Sequence, residues 1–246
     1  MFSKSQIKLI TSLAQKKYRN KHKLFLAEGY KVISELLDSS LNLHALYTTE
    51  DIFDAASEKT FFVNEPDLKK ISQLKTPQKA LGVFLIPEEE QVETSGLTVA
   101  LDGIRDPGNL GTIIRLCDWF GVERLICSLD TVDCYNPKVV QATMGSITRI
   151  KINYRNLDSL VPENLPIYGA FLEGENIYTS ALPRNAIILL GNEANGISDM
   201  MEKLVTQKIN IPQFSTSQST ESLNVATATA IILSEFRRRE LLEGKV

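Results

Sequence analysis

Apolar positions along this chain fall into short runs separated by polar turns, and run length sorts them into strands and helices. Over residues 1–86, helix-like and strand-like segments alternate at 5–17, 25–37, 43–48, 61–63, 67–74 and 80–86, which predicts a small α/β domain. The stretch 87–96 breaks that pattern: it is polar and turn-rich, and Glu88, Glu89, Glu90 and Glu93 disfavour compact packing, so it reads as a linker. The pattern then restarts at Leu97. Apolar runs at 97–101, 122–127, 167–172, 186–190 and 209–211 suit strands covered on both faces, as in a mostly parallel sheet. Helices are predicted at 109–120 and 222–242, and in the second Val225, Ala228, Ile232 and Phe236 form a core-facing stripe. The expected architecture is α/β in three parts: a small domain at 1–86, a linker at 87–96, and a domain at 97–246 whose sheet carries helices on both faces.

Composition narrows the chemistry. A chain of 246 residues with 43% hydrophobic content can bury one large core or two modest ones. No apolar run reaches the roughly 18 residues of a membrane span, and the lysine-containing start lacks the apolar stretch of a secretory signal, so a cytoplasmic protein is expected. Cys117, Cys127 and Cys134 are odd in number and without C-x-x-C spacing, and His22 and His44 are the only histidines. A disulfide framework, a zinc site and a Ser-His-Asp triad therefore have little to draw on, and no metal is expected. The net charge of −3 hides a cationic start, since Lys4, Lys8, Lys16, Lys17, Arg19, Lys21 and Lys23 all precede the first acid, Glu28. Lys16, Lys17, Arg19, Lys21 and Lys23 are candidate contacts to RNA phosphates; a solvated helix face would explain the same run.

Three clusters stand at the junctions of strands and helices in the second half. Asp106-Pro107-Gly108-Asn109-Leu110-Gly111 leads into Arg115, and Asn109 is suited to cap the helix, whose free N–H groups could meet an anion. Gly111 shares a helix face with Arg115 and leaves room for a ligand beside the guanidinium. Leu189-Leu190-Gly191-Asn192-Glu193 ends an apolar run, with Gly191 allowing unusual backbone angles where a carboxylate emerges. Ser222-Leu223-Asn224-Val225 opens the last helix. Capping, turn formation and a solvated Arg115 would account for each cluster singly. Together they suggest a composite pocket along one rim of the sheet. The glycine signatures of dinucleotide and triphosphate sites are absent, so a different cofactor geometry is needed.

In order, these clusters resemble motifs one, two and three of the SpoU/TrmH family of RNA ribose 2′-O-methyltransferases, in the SPOUT superfamily. The likeness extends over 97–239 and includes Tyr135-Asn136-Pro137-Lys138-Val139-Val140 and Met144-Gly145. Residues before Pro87, above all Phe25-Leu26-Ala27-Glu28-Gly29, resemble the small substrate-binding domain, similar to ribosomal RNA-binding proteins, that many members carry. The resemblance implies a C-terminal trefoil knot, an exception to the rule against knotted chains. It implies S-adenosylmethionine held near Leu190, Gly191, Ile211, Ser222, Leu223 and Asn224, a homodimer, and an RNA substrate, ribosomal rather than transfer RNA by analogy. As catalytic residues it implies Arg115, with Asn109, Glu193, Ser222 and Asn224.

A guanidinium keeps its proton in proteins, so Arg115 is better read as binding an RNA phosphate and stabilising charge on the ribose oxygen than as a base. The proton would pass to that phosphate, water or Glu193. One departure concerns the third motif, where 213–221 is longer than in the family and lacks glycine. Two alternatives stay open: a non-catalytic RNA-binding or ribosome-associated protein, and a knotted methyltransferase acting on a base.

Overall fold

The computed structural model describes residues 3–89, 96–159, 165–215 and 222–242. Contacts divide them into two units, one containing the residues up to Glu89 together with Asp133–Thr148, the other containing the rest. The linker expected at 87–96 lies largely outside the described residues.

In the first unit, α1 (Lys4–Ser12) starts at a capping box in which Ser3 and Gln6 satisfy each other's backbone N–H groups. The helical run expected at 5–17 breaks, and α2 (Lys16–His22) begins anew. The run at 25–37 also divides. It becomes β1 (Leu24–Glu28) and α3 (Tyr30–Leu37), hinged at Gly29, whose φ of 86° lies in the region glycine favours. β2 (Leu43–Thr48), β3 (Thr60–Phe62), α4 (Glu65–Ile71) and β4 (Ala80–Leu85) complete this part, and the sheet order is β1-β4-β2-β3. Ile10, Leu13, Leu26, Tyr47, Ile71 and Leu81 pack together in its core. Every residue of β1 is buried, Glu28 included; its carboxylate accepts the Ser72 hydroxyl at 2.5 Å and the Gln73 N–H at 2.7 Å, tying the strand to the end of α4. Burial pushes that carboxyl above its ordinary value.

The second unit begins with β5 (Leu97–Asp102), α5 (Pro107–Trp119) and β6 (Arg124–Cys127). After α6 (Pro137–Thr143), which belongs to the first unit, come β7 (Lys151–Tyr154), β8 (Ile167–Asn176), β9 (Ala186–Gly191), α7 (Asp199–Glu202), β10 (Gln207–Asn210) and α8 (Val225–Leu242). The six strands run in the order β10-β8-β9-β5-β6-β7, every neighbouring pair parallel. β5, β6 and β9 are almost wholly buried, as a sheet covered on both faces requires. Ala100, Ile126, Ile187 and Leu189 pack with Ile197 and Met201, while α5 and α8 pack on each other and on β6 and β9. In α8, three residues of the expected stripe, Val225, Ile232 and Phe236, are buried, and the fourth, Ala228, is half-buried. β7 was not foreseen, because Lys-Ile-Asn-Tyr on an edge strand carries no apolar run. The chain leaves β5 for β6 and β7 on one side and returns through β8 and β9 on the other, so a topological switch point lies between β5 and β9.

Asp133–Thr148 departs from the expected division, since it follows β6 in sequence yet packs within the first unit. Its anchor is Arg19. Because α1 stops at Ser12, the carbonyls of Leu13 and Ala14 have no helical partners, and Arg19 Nη1 donates to them at 2.8 and 2.9 Å. Nε and Nη2 of the same side chain donate to Asp133 Oδ2 at 2.9 and 2.6 Å. Tyr135 packs its ring on Phe25, with centroids 4.8 Å apart. Arg19 is 1% exposed, which corrects its place among the candidate RNA contacts: its donors are spent inside the fold. Lys16, Lys17, Lys21 and Lys23 are exposed. Arg19→Ala should lower the unfolding free energy by about 3 kcal/mol in urea denaturation of the full chain, since the Asp133 carboxylate, 12% exposed, loses its charge partner and two carbonyls lose their donor. A solvent-facing Arg19 would leave that value unchanged.

Candidate active site

The turn after β5 is more constrained than its sequence suggests. Asp106, not Asn109, caps α5: its Oδ1 accepts the Asn109 N–H at 2.8 Å, and Pro107 occupies the first helical position, where its missing N–H costs nothing. The Asp106 carboxylate thus takes the place expected for an external anion. Asn109 is moved to the third helical position and its side-chain amide is free for other work.

At the end of β9, Gly191 is needed for space rather than for unusual angles. A Cβ there would lie 2.1 Å from the carbonyl carbon of Gly196 and 2.2 Å from Ile197 N, because the following loop folds straight back over it. Asn192 and Gly196 exchange backbone hydrogen bonds at 2.9 and 2.8 Å, and Gly196 takes the positive φ of 68°. Asn192 Nδ2 reaches across to the Gly103 carbonyl at 2.5 Å, and the Ser198 N–H donates to Asp102 Oδ2 at 2.8 Å. These bonds lock the loop after β9 to the end of β5 and hold Glu193 at the switch point.

Asn224 caps α8 by accepting the N–H groups of Ala226 and Thr227 at 2.9 and 3.3 Å. Its oxygen is thereby committed to the helix, so its nitrogen turns outward and donates to Asn109 Oδ1 at 2.9 Å. Asn109 must then present its nitrogen elsewhere, and Nδ2 donates to Glu193 Oε1 at 2.6 Å. A directed chain of donors runs from the start of α8 through two amides to a carboxylate. It joins one residue from each of the three clusters.

The other expected site residues are near these elements but outside that chain of bonds. Arg115 is exposed on α5 and has no hydrogen-bond or ion-pair partner among the described residues. Six residues beyond Asn109, it stands about 9 Å further along the helix and about 120° around it. Gly111, one turn before Arg115 on α5, is buried. Leu190 is 1% exposed at the end of β9, Gly191 and Ile211 are half-buried, and Ser222 and Leu223 are exposed just before α8. Residues 216–221, most of the long glycine-free loop, lie outside the described residues. A cavity of about 190 Å3 belongs to the first unit and contains none of these residues. Among the described residues, no group of three or more His, Cys, Asp or Glu side chains is placed to hold a metal ion. The sequence reading missed Asp106, Asn192 and Asp102; only the first had a visible signal, the proline directly after it.

The SpoU rRNA Methylase family model matches residues 96–234, and the MRM3-like substrate binding domain matches 4–82. The chain is 28% identical to the 23S rRNA (guanosine(2553)-2′-O)-methyltransferase RlmP of Bacillus subtilis, over 92% of this chain and 93% of that one. A TrmH-family protein from Porphyromonas gingivalis has a similar solved structure, with TM-score 0.88 and 38% identity, covering 97% of this chain and 99% of that one. The AdoMet-bound rRNA methyltransferase from Sinorhizobium meliloti is also similar, with TM-score 0.86, 30% identity and 97% of each chain covered.

Since backbone atoms cannot step aside as a flexible side chain could, Gly191→Ala should cost about 3 kcal/mol or more and sharply lower the thermal midpoint. A midpoint within a degree or two of the parent would show that the 192–197 loop does not fold back over β9.

Proposed function

The chain belongs to the SpoU rRNA methylase family, and we propose that it moves the methyl group of S-adenosylmethionine to a ribose 2′-hydroxyl of ribosomal RNA. The observation that carries this reading is the bond chain from Asn224 through Asn109 to Glu193, which makes one site of residues 84 and 115 positions apart. A binding module has no need of such an arrangement.

The residues at the ends of β9 and β10 fit the methyl donor. Leu223 leaves a large apolar side chain 48% exposed directly beside Asn224, and Leu190, Gly191 and Ile211 bring backbone groups to the same strand ends. Those residues, with Ser222, would hold the donor; bound there, it supplies an electrophilic methyl group on a sulfonium. The chain's own residues do the rest. Asn109, fixed on both sides, orients the ribose. Arg115, whose guanidinium has no partner among the described residues, binds an adjoining phosphate and stabilises negative charge growing on the 2′-oxygen. The hydroxyl proton leaves to that phosphate, to water or to Glu193. Positioning of oxygen, carbon and sulfur in line accounts for much of the rate.

The first unit we assign to RNA capture through the exposed Lys16, Lys17, Lys21 and Lys23 on and beside α2. We also propose the trefoil knot. Its support is that β10 lies at the sheet edge while α8, the next helix in sequence, packs on β9 and α5. A homodimer and a cytoplasmic setting complete the proposal; Trp119, 84% exposed on α5, is the side chain a second protomer would cover. Among the described residues no helix is long and apolar enough to cross a membrane.

Arg115→Ala should abolish methyl transfer while S-adenosylmethionine affinity, read by calorimetry, stays within a few-fold. Arg115→Lys should keep part of the activity, because a charge without the planar fork still stabilises an oxyanion. Unchanged turnover in Arg115→Ala would remove it from the mechanism. Nucleoside mass spectrometry of the methylated RNA separates ribose from base methylation, and no product from the parent protein would favour the non-catalytic alternative.

A further inference from the structure

The loop between β5 and α5 is anchored at every residue except one. Gly103 donates its N–H to Ser128 Oγ at 2.8 Å and accepts from Asn192. Ile104 is fully buried, and its carbonyl accepts the Val132 N–H at 2.8 Å. Asp106 is the helix cap. Between them, Arg105 has a side chain 72% exposed, and its nearest charged partner is Asp130, with Nη2 3.9 Å from Oδ2. That distance is too long for a hydrogen bond. Asp130 has its own support, because Oδ1 accepts the Ser128 hydroxyl at 2.7 Å. Arg105 can therefore leave without displacing Asp130. An exposed pair of this kind contributes little to stability.

The result is a rigid loop at the switch point presenting one guanidinium whose donors are all unused among the described residues. Four residues on, the same loop and helix fix Asn109, which would face the ribose under the proposed function. We infer that Arg105 is a substrate-positioning residue, exchanging Asp130 for an RNA phosphate near the target ribose, distinct from the phosphate bound by Arg115. A planar fork of donors matches a phosphate far better than it matches a carboxylate at 3.9 Å. The inference rests on the methyltransferase reading for the identity of the RNA, but its binding test does not require turnover.

The full chain is assayed with ribosomal RNA from cells lacking the gene, reading both methyl transfer and equilibrium RNA binding over a range of salt. Arg105→Ala should raise KM for this RNA about tenfold, with the loss in kcat/KM carried by KM, and should reduce the slope of log affinity against log salt by about one. Asp130→Asn, which removes the competing carboxylate, should tighten RNA binding severalfold, and that gain should vanish when Arg105 is also alanine. An unchanged KM and salt slope in Arg105→Ala would overturn the inference, as would a gain from Asp130→Asn that persists without Arg105. A lowered thermal midpoint in Arg105→Ala with RNA binding intact would also overturn it, by making the pair structural. If the parent protein binds the RNA but transfers no methyl group, the methyltransferase reading fails, and the binding constants still decide the role of Arg105.

Discussion

Everything at the candidate site depends on the fixed orientation of two side-chain amides. Helix α8 needs an acceptor for its first N–H groups, and Asn224 supplies it, which settles which way that amide points. Asn109 is then forced to offer its oxygen to Asn224 and its nitrogen to Glu193. Each neutral bond contributes about 1 kcal/mol and the one to the carboxylate somewhat more. The energy is modest, but the direction is not negotiable: reversing either amide would set donor against donor or acceptor against acceptor. Under the proposed function, a ribose arriving at Asn109 would meet a group already oriented, so little reorganisation would be required at the moment of reaction.

The surrounding fold makes that contact unavoidable. A parallel sheet whose order reverses beside β5 leaves the ends of β5 and β9 next to each other, with helices α5 and α8 starting above them. Close packing removes the remaining freedom, because Gly191 lies against the backbone of Gly196 and Ile197 and Asn192 grips Gly103. Cys117 is wholly buried in the underlying core, and burial pushes its thiol up to about 12. Reactive groups are kept to the rim.

Much of this was legible in the sequence. Buried parallel strands announce themselves as unbroken apolar runs, and the three clusters stood out because polar residues and glycine closed or followed such runs. What failed was local assignment within the clusters. Asn109 looked like a cap because asparagine commonly is one, yet proline two residues earlier already marked Asp106 as the residue before the helix. At Gly191 the sequence points to unusual angles, whereas its value lies in what approaches it. Arg19 could not have been read correctly, since its partner Asp133 is 114 residues away and one-dimensional pattern holds no trace of that pairing. The same holds for Asp133–Thr148, whose sequence belongs with the second half and whose contacts belong with the first. β7 was hidden because an edge strand needs no apolar run.

The convergence of the three clusters through Asn109 is tested most directly by a double-mutant cycle on unfolding free energy, using Asn109→Ala, Asn224→Ala and the pair together. A bond between these amides should give a coupling energy of about 1 kcal/mol. Strict additivity, with coupling below about 0.3 kcal/mol, would mean that the two side chains do not meet and that the site assembled around them does not exist.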